Sequence, residues 1–536
     1  MVNDGKKPLA DESRIRKLVE RSLEEEEKLA AGDQARDGNN GGGDDDNDPA
    51  PPEFVTECLY ANELGDGMLY AALKKGQYVF NKSTDEWLRW AGHHWEIDEM
   101  GRAVADVEDV CRRYLDEAQR LVDEIAVANK ERAAALTDRQ KHIYKRVTRL
   151  RSQRGRVNCL HFAATNPINA LEVSGDDLDN QTMALSGTNG VINLRTGDLR
   201  PGRPDDYILK ASPVEYTGVD TPAPLWGKTL LEIFNGDQEL VDFLGRIVGY
   251  AITGKCTLAK LPILWGKGRN GKGLIVETIS KVLGPLAGPV PSELLLDQGR
   301  ARSSGAPSAD IMALQGMLVV FGSESDEGRR FSPSRVKWLT GNDTLVGRAP
   351  HDKRQTSFKP KHTLIMLTNA KPHAPADDFA FWERVLLIPF TRSYVDREPA
   401  ADDEVRADLD LPEKLKAEYP GILAWMVRGC LAWQKRGLDP PAVVREATAA
   451  YRREEDLMAD FLDERCVFDK HAEVRSTIFY DDFVSWWERN MSRKVPSHRK
   501  FGQIMKQRFK WGRESSGVFY YGVGLSGKPE NVLNVP

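Results

Sequence analysis

Hydrophobic and polar positions along the chain fall into blocks of different period, and each block predicts a different element. From Val107 the apolar residues Cys111, Tyr114, Leu115, Ala118, Leu121, Val122 and Ile125 recur every three or four positions, which gives a long helix one apolar face. A second helix with a basic face is expected around Arg139 to Arg151. GVINLRTGDLRPG reads instead as a hairpin that turns at Thr196, Gly197 and Asp198. From about 226 to 395, short apolar runs such as LPILW alternate with helical spacings such as LIVETISKVL, and Gly and Pro punctuate them. That alternation predicts an α/β layer structure. Residues 396 to 455 look helical and charged, and the last 80 residues are rich in Trp, Phe and Tyr. There, Phe479, Phe483, Trp486 and Trp487 share one helical face. Ser497 then caps HRKFGQIMKQRFK, in which Phe501, Ile504, Met505 and Phe509 point inward while Arg499, Lys500, Lys506, Arg508 and Lys510 are expected to point outward.

Composition narrows the class. A chain of 536 residues needs three or four cores at about 150 residues each, and its 40% hydrophobic content is that of a globular protein. No run of about 18 apolar residues offers a membrane span, and the start has no apolar signal region, so a cytoplasmic location is expected. The six cysteines are scattered with no C-x-x-C pair, which argues for reduced core thiols rather than zinc or disulfides. Net charge is only -6, yet acid concentrates in the first 53 residues (DQARDGNNGGGDDDNDPAPPE) while cations concentrate in KPKHT and SHRKFGQIMKQRFKWGR. Residues 1–52 cannot bury enough apolar surface to fold and are expected to be disordered. Helix, basic helix and then the strand-like GVFYYGVGL follow the order of a winged-helix DNA-binding module over 456–536, and a small packing domain with a solvated basic face is the alternative.

The chemistry concentrates between 263 and 390. ILWGKGRNGKGLIVETI spaces Gly266, Gly271 and Lys272 as G-x-x-x-x-G-K between a buried strand and a helix. Backbone N–H groups of Gly266, Lys267, Gly268, Arg269, Asn270, Gly271, Lys272 and Gly273 could wrap a phosphate chain, with the helix N-terminus and Lys272 adding positive charge. Gly273 stands where a Ser or Thr hydroxyl would hold Mg²⁺, which should weaken metal binding without abolishing it. About 50 residues on, the strand of GMLVVFGSESDEG delivers Glu324, able to hold Mg²⁺ or orient water. HTLIMLTNAKP ends a further strand in Asn369, suited to a γ-phosphate or its water. In FAFWERVLLIPF, Arg384 lies between helix and strand, either as a surface ion pair with Glu383 or as a cation for a neighbour's ATP.

These four stations, in this order, resemble the superfamily 3 helicases, specifically the phage/plasmid primase-helicase family. The matching text is GKGRNGKG, SESDEGRRFSPSRVKWLTGND, FKPKHTLIMLTNAKP and FWERVLLIPF, with MALSGTNGVINLRTGDLRP and LVDFLGRIVGYAITG similar to a poxvirus-type N-terminal region. The resemblance covers roughly 55 to 395. It implies a P-loop, AAA-plus-like α/β helicase core over 226–395, a mixed α+β N-terminal region over 53–225, a helical connector over 396–455 and the winged-helix-like end. By resemblance, the Walker A loop is Gly266 to Gly273, the Walker B acid and metal ligand is Glu324, the sensor is Asn369 and the arginine finger is Arg384. The segment between Walker B and sensor is similar to a DNA-contacting hairpin, with Arg348, His351, Lys353 and Arg354 facing a channel. The family implies ATP and Mg²⁺, single-stranded and origin DNA, head-to-tail self-association into a ring of six, a bacterial host cytoplasm for a phage protein, and priming by a separate primase or polymerase. Asp176, Asp177 and Asp179 sit in a turn-like SGDDLDN, so no primase activity is expected. Two rivals stay open: a P-loop kinase for a small molecule, and an origin-binding protein that uses ATP only to assemble.

Overall fold

The apolar stripe that begins at Val107 forms the helix Val107–Val127, and the chain returns in Lys130–Leu150. The second helix starts well before Arg139, because Asn129 accepts the Arg132 N–H at 2.9 Å and KERAAAL consists of strong helix formers. Part of its basic face turns inward: Arg146 is buried 3.2 Å from the buried Asp66 carboxylate, and Arg139 pairs with Glu117. Tyr114 donates to Asp66 at 3.1 Å, and burial, opposed by Arg146, pushes the Asp66 carboxyl up to about 7.

A computed structural model of the chain describes residues 48–298, 308–323, 328–348, 355–490 and 495–526. Two compact units result, Met1–Asn193 with Leu199–Tyr216, and Leu194–Asp198 with Thr217–Pro536. The first adds a four-stranded sheet in the order Trp95–Ile97, Glu86–Trp90, Tyr78–Asn81, Glu172–Val173, and the expected strands Gly190–Asn193 and Asp198–Arg200 lie in a separate three-stranded sheet. Asp179 lies in a turn and accepts the Leu209 N–H at 2.7 Å.

The second unit opens with helices α1 (Pro224–Ile233) and α2 (Gln238–Ala251). Its sheet comprises β1 (Leu261–Trp265), β2 (Ala287–Pro291), β3 (Val319–Ser323), β4 (Thr363–Thr368) and β5 (Val385–Pro389), and helix α3 (Lys272–Leu283) follows β1. The strand order is β5-β1-β4-β3-β2 and every pairing is parallel. Such strands are covered on both faces, which is why they read as continuous apolar runs. Helix α4 (Pro333–Thr340) and the antiparallel pair Leu345–Gly347 and Thr356–Phe358 lie between β3 and β4. After β5 come α5 (Tyr419–Arg436) and α6 (Ala442–Glu454). On the edge strand β5, Leu387 N–H finds its acceptor in Thr448 Oγ1 of α6 at 2.9 Å, and Tyr451 of the same helix joins the sheet's core.

The C-terminal part of this unit runs α7 (Leu457–Arg465), strand Glu473–Arg475, α8 (Ser476–Asn490), α9 (His498–Arg508), then strands Lys510–Glu514 and Gly517–Tyr521. The last strand pairs antiparallel with both others. Phe461, Phe479, Phe483, Trp486, Phe501 and Tyr520 build its core. Among the described residues no helix is long and apolar enough to cross a membrane.

Candidate nucleotide-binding site

The site begins where β1 ends at Trp265 and α3 starts at Lys272. Gly271 caps that helix with φ 84°, a left-handed backbone that glycine adopts at no steric cost. At Gly266 the constraint is space, since an added Cβ would lie 2.3 Å from Phe390 O. Lys272 is 6% exposed and its ammonium donates to Gly266 O at 2.7 Å, Asn270 Oδ1 at 3.0 Å and Asn369 Oδ1 at 3.2 Å. Burial lowers its pKa to about 8. Asn369 directly follows β4, whose Thr368 lies opposite Trp265, so adjacent strands deliver Lys272 and Asn369 to one point. Asn270 is itself buried and donates to Phe390 O at 3.4 Å, just past β5.

A cavity of about 770 Å³ opens beside this point, lined entirely by the second unit. Gly268 to Leu274, Ser323 and Asn369 form part of its wall. Another part comes from α1 through Leu225, Thr229 and Glu232, and from the chain after β5 through Tyr394, Leu409 and Pro412. An added Cβ on Gly271 would meet Ile233 at 2.6 Å, so the C-terminal end of α1 packs on the loop and Leu225 stands about 12 Å farther along the helix. Tyr394 N–H donates to Arg269 O at 2.6 Å, and burial together with the Glu232 carboxylate that its hydroxyl meets raises its phenol pKa. Leu409, 83% exposed, stands on the cavity wall. Sequence reasoning missed this wall.

A buried ammonium among oxygen acceptors, beside a glycine-lined cavity of this volume, fits a nucleoside triphosphate. For a magnesium ion, Ser323 at the end of β3 offers a hydroxyl on the cavity wall, and its neighbour Glu324 lies outside the described residues. At Gly273 an added Cβ would meet no atom within 4 Å, so packing does not demand glycine there. Gly273→Thr is therefore expected to fold normally and to lower the Mg²⁺ concentration for half-maximal ATP turnover roughly fivefold, the effect of a contact of about 1 kcal/mol. An unchanged magnesium titration would show that the missing hydroxyl is immaterial.

Arg384 is not brought to this point. It directly precedes β5, and its carbonyl accepts the N–H of Leu261, the first residue of β1, at 2.7 Å. Five residues of parallel strand, about 16 Å, therefore separate it from the Lys272 loop of its own chain. Its guanidinium donates to Ala380 O, while its Nε is buried without a partner. Arg348 follows the strand Leu345–Gly347, and its N–H donates to Ser308 Oγ at 3.0 Å. His351, Lys353 and Arg354 lie outside the described residues. On α9, Arg499, Lys500 and Lys506 are exposed, and the Lys506 ammonium lies 4.3 Å from the centre of the Trp511 ring. Arg508 corrects the expectation of an outward cation, because it turns inward to Asp377 at 2.9 Å and Asp456 at 2.7 Å. The six cysteines are buried free thiols.

Comparison with known proteins matches residues 67–235 to the family described as D5 N terminal like. The chain is 25% identical over 346 residues to "Putative helicase L207/L206" of Acanthamoeba polyphaga mimivirus, a stretch covering 62% of this chain and 36% of the relative. It is 25% identical over 406 residues to "Putative helicase 022R" of Frog virus 3, covering 62% and 41%. It is 24% identical over 351 residues to "Putative primase C962R" of African swine fever virus, covering 59% and 34%. The chain thus spans about two fifths or less of the length of these relatives. Among solved structures, the C-terminal region of NrS-1 aligns with a TM-score of 0.42 and 11% identity over 82% of this chain and 84% of that one, too distant to define a shared fold. The expected bacterial host finds no support in relatives from an amoebal mimivirus, a frog virus and a swine fever virus. The D5-type match and the viral helicase and primase relatives support the primase-helicase resemblance carried by the motifs.

Proposed function

We propose that this chain is an ATP-dependent DNA helicase of the superfamily 3 type that works in viral or related DNA replication, closing head to tail into a six-membered ring around single-stranded DNA. The observation that carries this reading is the meeting of Lys272 and Asn369, two motif residues 97 positions apart, at 3.2 Å beyond the ends of adjacent parallel strands and beside a nucleotide-sized cavity. Lys272 stabilises phosphate charge, Asn369 orients the γ-phosphate or the attacking water, and Glu324 holds Mg²⁺ or activates water. When bound with ATP, Mg²⁺ neutralises charge developing on the phosphates, with Ser323 and Glu324 as the residues to hold it. Arg384, some five residues of strand away from its own loop, serves the ATP of the adjoining copy, which requires a heterologous interface that closes on itself.

The order of α7, strand, α8, α9 and two strands supports reading the C-terminal part as a winged helix, in which Arg499, Lys500 and Lys506 of α9 contact origin DNA. Arg348, His351, Lys353 and Arg354 contact the strand in the channel. ATP turnover measured with and without single-stranded DNA, beside strand displacement on a forked duplex, tests the proposal. Turnover raised by DNA and coupled to displacement is expected. DNA binding without stimulated turnover would favour an origin binder that uses ATP to assemble, and stimulation by a metabolite would favour a kinase.

A further inference from the structure

The loop between Asn369 and Arg384 is held from several sides. Its first part is pinned to α6 and the residue after it: Lys371 pairs with Glu454 at 2.7 Å, and His373 Nδ1 and Ala374 N–H meet Glu455 at 2.9 and 3.0 Å. His373 also exchanges backbone hydrogen bonds of 2.7 and 2.8 Å with Arg329 and Phe331, in the segment that follows β3. Its last part carries two adjacent carboxylates that reach different elements. Asp378 binds Lys337 of α4 at 2.9 Å and caps the turn leading to Arg384 by accepting the Phe381 N–H at 3.0 Å. Asp377 binds Arg508 at the C-terminal end of α9 at 2.9 Å.

Arg508 is only 21% exposed and uses one nitrogen, Nη2, for both Asp377 and Asp456. Asp456 Oδ1 is itself fixed by Met458 and Ala459 N–H groups at 3.2 and 3.1 Å. A charge-assisted bond from one guanidinium nitrogen to each of two carboxylates resists their separation. Arg508 thus ties the C-terminal end of α9 to Asp377, eight residues past Asn369 and seven before Arg384.

We infer that Arg508 is a positioning residue through which the C-terminal module sets the geometry of Asn369 and Arg384, so that DNA held by α9 raises ATP turnover. The inference rests on the helicase reading and adds to it the route by which DNA and ATP sites communicate. Its physical warrant is the Arg508–Asp377 ion pair, joined through the adjoining peptide bond to Asp378 and its ion pair with Lys337 on the helix that precedes the Leu345–Gly347 strand.

The test uses the full chain with Arg508→Gln, Asp377→Asn and both together. For each, ATP turnover is measured without DNA and at saturating single-stranded DNA, and DNA affinity is measured as a function of salt. Both single variants are expected to keep basal turnover and DNA affinity within about twofold while the stimulation ratio falls about fivefold or more, and the double variant should be no worse than either single one. An Arg508→Gln protein that keeps the wild-type ratio overturns the inference. So does one whose basal and stimulated rates fall by the same factor, which marks a purely structural role, or one that loses DNA affinity, which marks a DNA contact. If wild-type turnover does not respond to DNA at all, the helicase reading itself fails and takes this inference with it.

Discussion

Arg384→Ala is expected to lower DNA-stimulated ATP turnover by about 10³- to 10⁵-fold, the range for an arginine that completes a phosphoryl-transfer site, while ATP affinity changes little. Arg384 lies about five strand residues from Lys272 of its own chain, so the loss should appear in kcat and should depend on assembly. Mixing gives the decisive measurement. Arg384→Ala and Lys272→Ala copies are each inactive alone, but a site between an intact loop and an intact neighbouring arginine recurs at random in a mixed ring. An equal mixture is then expected to recover about a quarter of wild-type turnover if sites act independently. No recovery, with rings verified by mass, would show that Arg384 does not act across an interface.

Lys272→Ala is expected to reduce ATP turnover by about 100- to 1000-fold, the usual cost of removing one preorganised charge stabiliser. Salt-sensitive DNA binding by the C-terminal module should survive, because α9 and its neighbouring strands have their own core. The wild type carries a second signature. Burial lowers the Lys272 pKa to about 8, and a bound triphosphate must raise it. Below pH 8 the ammonium is charged in both states and affinity should be flat. Above pH 8 binding has to take up a proton, so ATP affinity should fall, by at most about tenfold per pH unit. Isothermal titration in two buffers of different ionisation enthalpy would detect the proton uptake, and flat affinity from pH 7 to 9.5 would contradict it.

Much of the sheet was legible because its parallel strands are buried on both faces. LPILW, LVVF, TLIMLT and VLLIP cannot be solvated loops, and the candidate residues lie in the turns after the first three and just before the last. The opposite cavity wall was not legible. Leu225 and Glu232 share one face of α1, but Tyr394 and Leu409 belong to no periodic pattern and lie up to 184 positions from them, so only tertiary packing joins the two parts. The early start of Lys130–Leu150 was missed because its first turns are exposed and lack an apolar stripe. Arg508 was legible but misread: it stands seven residues after Phe501, on the buried face of α9, and its charge was allowed to outweigh its angular position.

Lys272 Nζ already has three acceptors, one for each of its hydrogens. An arriving γ-phosphate must displace one, and the longest and least buried contact is the 3.2 Å bond to Asn369. On the proposed reading, losing that bond would free the Asn369 carboxamide oxygen to accept from the attacking water. Binding of ATP would then itself arm the site, because without nucleotide the same lysine keeps the Asn369 carboxamide oxygen occupied.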